Sequence, residues 1–256
     1  MRLTNRVILI TGGTSGIGLA LATQLSQRGN TVLITGRDPA RLAEVARRLP
    51  GLHTFVSDVS DPEAIARLCT EVLRRFPALD TLINNAGIMR NLQLAQPRAL
   101  TDLTREIDIN LSGPVRMIQQ LLPHLLSVKN SLILNVSSGL AFVPMPIAPI
   151  YSATKAALHA YSQALRMQLR NTSVTVVELA PPGVETPLFR GEFAEETKGM
   201  KAMAPEVLAA RAIAAIEAGR LEIRPGLANV LKVMSRIAPQ FILRQLAGPP
   251  VDTGNA

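Results

Sequence analysis

The chain of 256 residues has no tryptophan, a single cysteine and three histidines. Each scarcity closes a route. With only Cys69 available, no intrachain disulfide can form, and a structural zinc site built on thiolates is implausible. A reducing, cytoplasmic setting is expected. His53, His124 and His159 fall in separate stretches without ligand spacing, so each is read as structural and no metal is expected. Aromatic residues make up only 3% and do not interleave with basic ones, so the net charge of +8 does not point to nucleic acid. Long apolar runs are missing too. Val7 to Ile10 is too short for the apolar region of a signal peptide. The uncharged stretch 131–154 holds Asn135, Ser137, Ser138, Gly139 and three prolines, which suits strand, loop and helix start better than a membrane span.

What is present fits a soluble globular enzyme: 47% apolar residues, 18% charged, and no repeat or linker that would split the chain. One domain spanning residues 1–256 is expected. Short apolar runs alternate with helix-period stretches, and seven strands are predicted: Arg6 to Ile10, Thr31 to Thr35, His53 to Ser57, Leu79 to Asn84, Ser131 to Val136, Val174 to Leu179 and Leu221 to Arg224. Runs such as Val7-Ile8-Leu9-Ile10 are apolar at every position, as strands covered on both faces must be. The pattern predicts an α/β, doubly wound Rossmann fold, a seven-stranded parallel sheet with helices on both faces. Asp38-Pro39 and Asp61-Pro62 each read as an N-cap followed by proline at the first helical position.

After the first strand comes Thr11-Gly12-Gly13-Thr14-Ser15-Gly16-Ile17-Gly18, leading straight into a helical pattern. Glycines there let the backbone turn tightly and approach a pyrophosphate, whose charge the helix start favours. The spacing is Gly-x-x-x-Gly-x-Gly, unlike the Gly-x-Gly-x-x-Gly of ordinary dinucleotide folds. Further on lie Asp58-Val59, Asn84-Asn85-Ala86-Gly87, Asn110, Ser138, Tyr151 and Lys155, with Ser138 thirteen positions before the tyrosine. In this order they resemble the short-chain dehydrogenase/reductase family in its compact single-domain branch. Ser15 counts against the extended branch, which has glycine there. More narrowly, Asn84 to Arg90, Glu106 to Met117 and Val136 to Val143 resemble the DltE-type oxidoreductases of that family.

The resemblance implies a hydride transfer between a nicotinamide and a carbonyl or alcohol, with Asn110, Ser138, Tyr151 and Lys155 as the catalytic set. It also implies cofactor contacts at Gly12, Thr14, Ser15, Gly16, Ile17, Gly18, Asp58, Val59, Asn85, Ala86, Gly87, Tyr151 and Lys155. The residues themselves make chemical sense of this. Free tyrosine has a pKa near 10, so one working near neutral pH needs its phenolate stabilised by about 3 to 4 kcal/mol. Lys155, four residues on, lies one helical turn away and can supply much of that. Ser138, just past the fifth strand, can hold the substrate oxygen, and Ser137 has the less suitable spacing. Asn110 stands four residues before Pro114, which has no N–H, so the helix should bend there. The bend serves packing on one reading; the resemblance gives it a use, a carbonyl that holds a proton-relaying water.

Cofactor choice rests on Thr35-Gly36-Arg37 at the end of the second strand, with glycine where NAD enzymes place an acid. Arg37 can pair with a 2′-phosphate, so NADP is expected over NAD, and Asp38 is assigned to the next helix cap. Pro181-Pro182-Gly183-Val184-Glu185-Thr186 resembles the family segment beside the nicotinamide, with Pro182 standing at its glycine. Contacts from Pro181, Val184 and Thr186 are expected. The loop Leu140 to Ile150 predicts an apolar substrate wall, and about 187–204 a lid in which Phe189, Phe193 or Met200 meets substrate. An amphipathic segment, about 227–247, places Lys232, Arg236 and Arg244 beside apolar residues and is interrupted by Pro239. It either packs on the subunit, the preferred reading, or makes peripheral membrane contact. Ala153, Ala156, Ala157, Ala160 and Ala164 allow another helix to approach, and the resemblance implies a homodimer or homotetramer. The functional alternative is a nicotinamide-sensing binding protein without turnover.

Overall fold

The computed structural model describes residues 1–247. Seven strands, β1 (Val7–Thr11), β2 (Thr31–Gly36), β3 (His53–Val56), β4 (Thr81–Asn84), β5 (Ser131–Val136), β6 (Val174–Leu179) and β7 (Glu222–Ile223), form one sheet. It is parallel throughout, in the order β3-β2-β1-β4-β5-β6-β7. The chain therefore winds outward one way through β3, returns, and winds the other way from β4. Between β1 and β4 the loops diverge and leave a crevice at the carboxyl ends of the strands.

Strand side chains alternate between two helical layers, as a period of two requires. Ile8, Ile10, Val32, Ile34 and Leu134 pack under α1 (Gly16–Gln27). Leu9, Leu33, Leu82 and Ile133 face the opposite layer. That layer includes α3 (Pro62–Arg75); α2 (Pro39–Arg48) flanks β2 and β3. Both predicted caps form: Asp38 accepts from the N–H groups of Ala40 and Arg41, and Asp61 from that of Glu63.

Beyond β4 come two short helices, α4 (Leu100–Leu103) and α5 (Arg105–Ile107), a π-helical turn over Asp108–Ser112, and α6 (Gly113–Ser127). The bend expected at Asn110 takes the form of this π turn, one residue wider than an α turn. The long helix α7 (Pro149–Gln168) precedes β6, α8 (Pro187–Arg190) and α9 (Pro205–Glu217) precede β7, and α10 (Leu227–Ile237) and α11 (Pro239–Ala247) follow it. The predicted strand limits shift by a residue or two. Arg6 lies outside β1, its backbone N–H donating to Asn30 Oδ1 at 2.9 Å while its guanidinium meets Asp80 at 3.0 Å and the Asn130 carbonyl at 2.5 Å. Leu221 and Arg224 fall outside β7, which is two residues long.

Candidate active site

A cleft of about 670 Å³ occupies the crevice. Its floor is the glycine turn. Gly12 and Gly16 have φ of +67° and +53°, where a side chain is strained, and a Cβ on Gly12 would stand 2.8 Å from Ala86 Cα. The start of α1 opens here with no side-chain cap and no acid in its first turn, so its N–H groups and positive dipole end are unspent. Thr14, Ser15, Gly16 and Ile17 line the cleft with Gly12. Gly18 does not. Expected as a cofactor contact, it lies beneath the turn, where a Cβ would meet the Gly12 carbonyl oxygen at 2.3 Å and Asn85 Nδ2 at 2.4 Å. Its small size is a packing requirement.

Asn85 ties the crevice shut from below, donating from Nδ2 to the Thr11 and Gly12 carbonyls at 3.0 Å each. Ala86 and Gly87 then line the cleft, as do Asp58, Val59, Pro181, Val184 and Thr186. Burial pushes the Asp58 carboxyl upward, yet hydrogen bonds from Ser60 and the charges of Arg37 and Arg105 outweigh it and hold the group below its ordinary value. At the far end stand Arg37 and Arg41. Arg41, four positions after Arg37 and in the first turn of α2, was not legible in the sequence as a cleft residue. Asp38 is turned into its cap and also lies 3.4 Å from Arg41 Nε.

At the inner end, Pro149 opens α7 so that Tyr151 falls in its first turn and Lys155 one turn later. Both are buried. Lys155 Nζ donates to the Val136 carbonyl at 2.9 Å and lies 5.5 Å from the centre of the Tyr151 ring. Burial pushes the Tyr151 phenol up to about 12, with Ser138 opposing and the charge of Glu106 adding to it. Burial likewise pulls Lys155 down to about 8, with Glu106 opposing. The depressed tyrosine expected from sequence is therefore not a property of the protein alone, because desolvation outweighs the hydrogen bond with Ser138.

Ser138 lies two residues past the end of β5 and accepts from Leu140 N–H at 3.1 Å, with its side chain on the cleft. Ser137 is committed elsewhere, donating to the buried carboxylate of Glu178. Asn110 is fully buried beside the cleft, not lining it. Its amide accepts from Ile88 N–H at 2.9 Å and donates to the Ile88 carbonyl at 2.8 Å, pinning the loop after β4. Gly87 allows this closeness: a Cβ there would lie 3.1 Å from Asn110 Oδ1 and 3.6 Å from Lys155 Nζ.

The wall around Tyr151 is apolar, with Leu140, Met145, Phe189, Phe193, Met200 and Leu231 facing the cleft. The segment after Thr186 folds over it. Phe193 packs on Tyr151 with almost no exposure, while Glu192 and Glu196 accept from Asn91 at 3.0 and 2.7 Å. Behind it α10 buries Ala228 and Leu231 against Gly139, and Lys232 pairs with Glu222 and lies 5.2 Å from the Phe142 ring centre. Folding also gathers His159, Glu178 and Glu222, which sequence spacing did not reveal. His159 Nδ1 bonds Glu178 at 2.7 Å, and Arg224 and Lys232 already neutralise Glu222. No described helix is long and apolar enough to cross a membrane.

A family model described as short chain dehydrogenase matches residues 6–197. The chain belongs to this family. The short-chain dehydrogenase fold and an oxidoreductase activity follow from membership. Over 189 residues the chain is 46% identical to the "Uncharacterized oxidoreductase DltE" of Bacillus subtilis (strain 168), covering 73% of this chain and 75% of that one. A solved short chain dehydrogenase from Burkholderia cenocepacia J2315, in complex with NADP, superposes with a TM-score of 0.82 at 25% identity, covering 97% of this chain and all of that one. A 3-ketoacyl-(acyl-carrier-protein) reductase from Brucella melitensis, complexed with NADH, gives a TM-score of 0.75 at 30% identity, over 83% and 91% of the two chains.

Proposed function

We propose that this short-chain dehydrogenase interconverts a carbonyl and its alcohol with NADP, using Tyr151 as the proton donor and acceptor. One arrangement carries the reading: a single cleft with the Tyr151, Lys155 and Ser138 side chains at one end and two arginines at the other. Between them lies a cradle suited to a pyrophosphate, where a Cβ at Gly12 would collide with Ala86 and the start of α1 is uncapped. Arg37 and Arg41 fit a 2′-phosphate, and no carboxylate replaces them at the end of β2. NAD remains the weaker alternative cofactor.

When bound, the reduced cofactor NADPH would supply hydride to the substrate carbon in reduction, and the oxidised form would accept it in oxidation. The chain does the rest. Ser138 donates a hydrogen bond to the substrate oxygen as charge develops there, and the apolar wall excludes water. Tyr151, protonated because it is buried, gives its hydroxyl proton to that oxygen in reduction. Lys155 then holds the phenolate by charge, and a bound oxidised nicotinamide would add to that positive field. Asn110 keeps the loop after β4 at the depth the cofactor needs, through its two bonds to Ile88. The apolar wall favours an apolar carbonyl substrate. On α7, Ala153, Ala156 and Ala160 are exposed and would let a second subunit's helix approach closely, supporting a homodimer or homotetramer.

The test is turnover of an aldehyde and ketone panel with NADPH. Reduction that vanishes in Tyr151→Phe supports the enzyme. Tight NADPH binding with no turnover across the panel favours a nicotinamide-sensing protein instead.

A further inference from the structure

Glu106 lies in α5, one turn before Asn110, and is 1% exposed. Its Oε1 accepts from the backbone N–H of Arg90 at 3.0 Å, while its Oε2 is buried without a hydrogen-bond partner. A bare carboxylate oxygen in the interior is costly unless a cation answers it. The Arg90 guanidinium is turned to other partners: it makes a two-point pair with Asp102 of α4 at 2.8 and 3.1 Å and lies 4.0 Å from Glu192. The Arg90 guanidinium therefore acts on Glu106 only through space, and Glu192, from the segment after α8, opposes it with like charge. Tyr151 and Lys155 on α7, against which α5 packs, also feel its charge.

Lys155 has the complementary deficit. It is buried, and its ammonium donates to the Val136 carbonyl without a carboxylate in ion-pair range among the described residues. Two buried groups of opposite sign, neither in a direct pair with the other, thus stand across one helix interface.

We propose that Glu106 is a positioning residue for the reaction: its carboxylate is the counter-charge that keeps Lys155 an ammonium, and through Lys155 it sets the pH window in which Tyr151 can exchange its proton. The inference rests on the roles given above for Tyr151 and Lys155. Burial pushes Glu106 up to about 7 and pulls Lys155 down to about 8, and in each case the other's charge opposes the shift. Lys155 carries its proton below about 8, and Glu106 carries its negative charge above about 7. The two are charged together to the greatest extent in the interval between. Removing the carboxylate charge moves the loss of the Lys155 proton to lower pH.

Glu106→Gln keeps an oxygen for the Arg90 N–H and removes the charge. In NADPH-dependent reduction of the aldehyde and ketone panel, the alkaline fall in kcat is expected to move down by about one pH unit. The NADPH KM should stay unchanged, and Glu106→Asp should return the profile toward the parent. A role in packing alone would lower kcat equally at every pH. Side-chain NMR titration of Lys155, assigned with Lys155→Arg, reads the same effect without turnover. A folded Glu106→Gln whose Lys155 midpoint has not moved overturns the proposal. Should that variant fail to fold, the parent decides: a Lys155 signal that shifts as the Glu106 carboxyl ionises supports the pair, and one that shows no inflection there overturns it. Full activity in Tyr151→Phe would instead sink the underlying reaction while leaving the Lys155 titration interpretable.

Discussion

Replacing Arg37 with alanine removes one of two cations from the end of the cleft where a 2′-phosphate would lie. A hydrogen bond between charged groups contributes about 1.5 to 3 kcal/mol when well shielded. Arg37 is exposed, so solvent and salt discount that toward about 1 to 1.5 kcal/mol. The expected result is a loss of about five- to tenfold in NADPH affinity, shrinking as salt is added, with NADH affinity unchanged. Arg41 is weaker by itself because Asp38, 3.4 Å away, shares its charge. Removing both should cost more than the sum of the singles, since either one alone can swing to the phosphate. Nicotinamide fluorescence on titration provides the assay, with no tryptophan signal beneath it. Equal affinity of the parent for NADPH and NADH, or an unaltered NADPH affinity in the double variant, would refute the assignment.

Tyr151→Phe should leave NADPH binding within twofold and lower turnover by about 10²- to 10⁴-fold, the usual worth of a positioned acid; comparable kcat in the two proteins would exclude the role. Gly18→Ala places a methyl 2.3 Å from the Gly12 carbonyl oxygen, so both thermal stability and NADPH binding should fall, and a variant that binds normally contradicts the tight turn. Leu9→Ala opens a hole in a fully buried strand position and should cost about 2 to 5 kcal/mol in urea unfolding; a loss under about 1 would mean the site collapses freely. The Cys69 thiol, buried and pushed up to about 12, should react with a disulfide reagent only as the protein unfolds, and rapid labelling of the native form at pH 8 would speak against its burial.

Legibility differed by region. The strands could be read because a parallel sheet covered on both faces demands uninterrupted apolar runs, and Val7 to Ile10 or Leu132 to Leu134 have few other uses. The caps at Asp38 and Asp61 were equally plain, since their hydrogen bonds span only two or three residues. Arg41 was missed because it has no distinguishing neighbour: a basic residue in an amphipathic helix is ordinary until the helix is aimed at a cleft. At Gly18 spacing cannot tell a glycine that meets a phosphate from one that lets the Gly12 carbonyl and Asn85 Nδ2 approach it closely.

Local physics alone decided the strands, the helix starts, the glycine turn, and the spacing that puts Tyr151 and Lys155 one turn apart on α7. All of these depend on residues close together in the chain, or on the periodicity with which they are buried. Tertiary structure decided which charges answer one another. Glu106 and Lys155 are 49 positions apart, Ser137 and Glu178 are 41 apart, and His159 meets Glu178 across a helix and a strand. Whether a buried carboxylate keeps its proton depends on the field of every group around it, and that field exists only once the chain has closed.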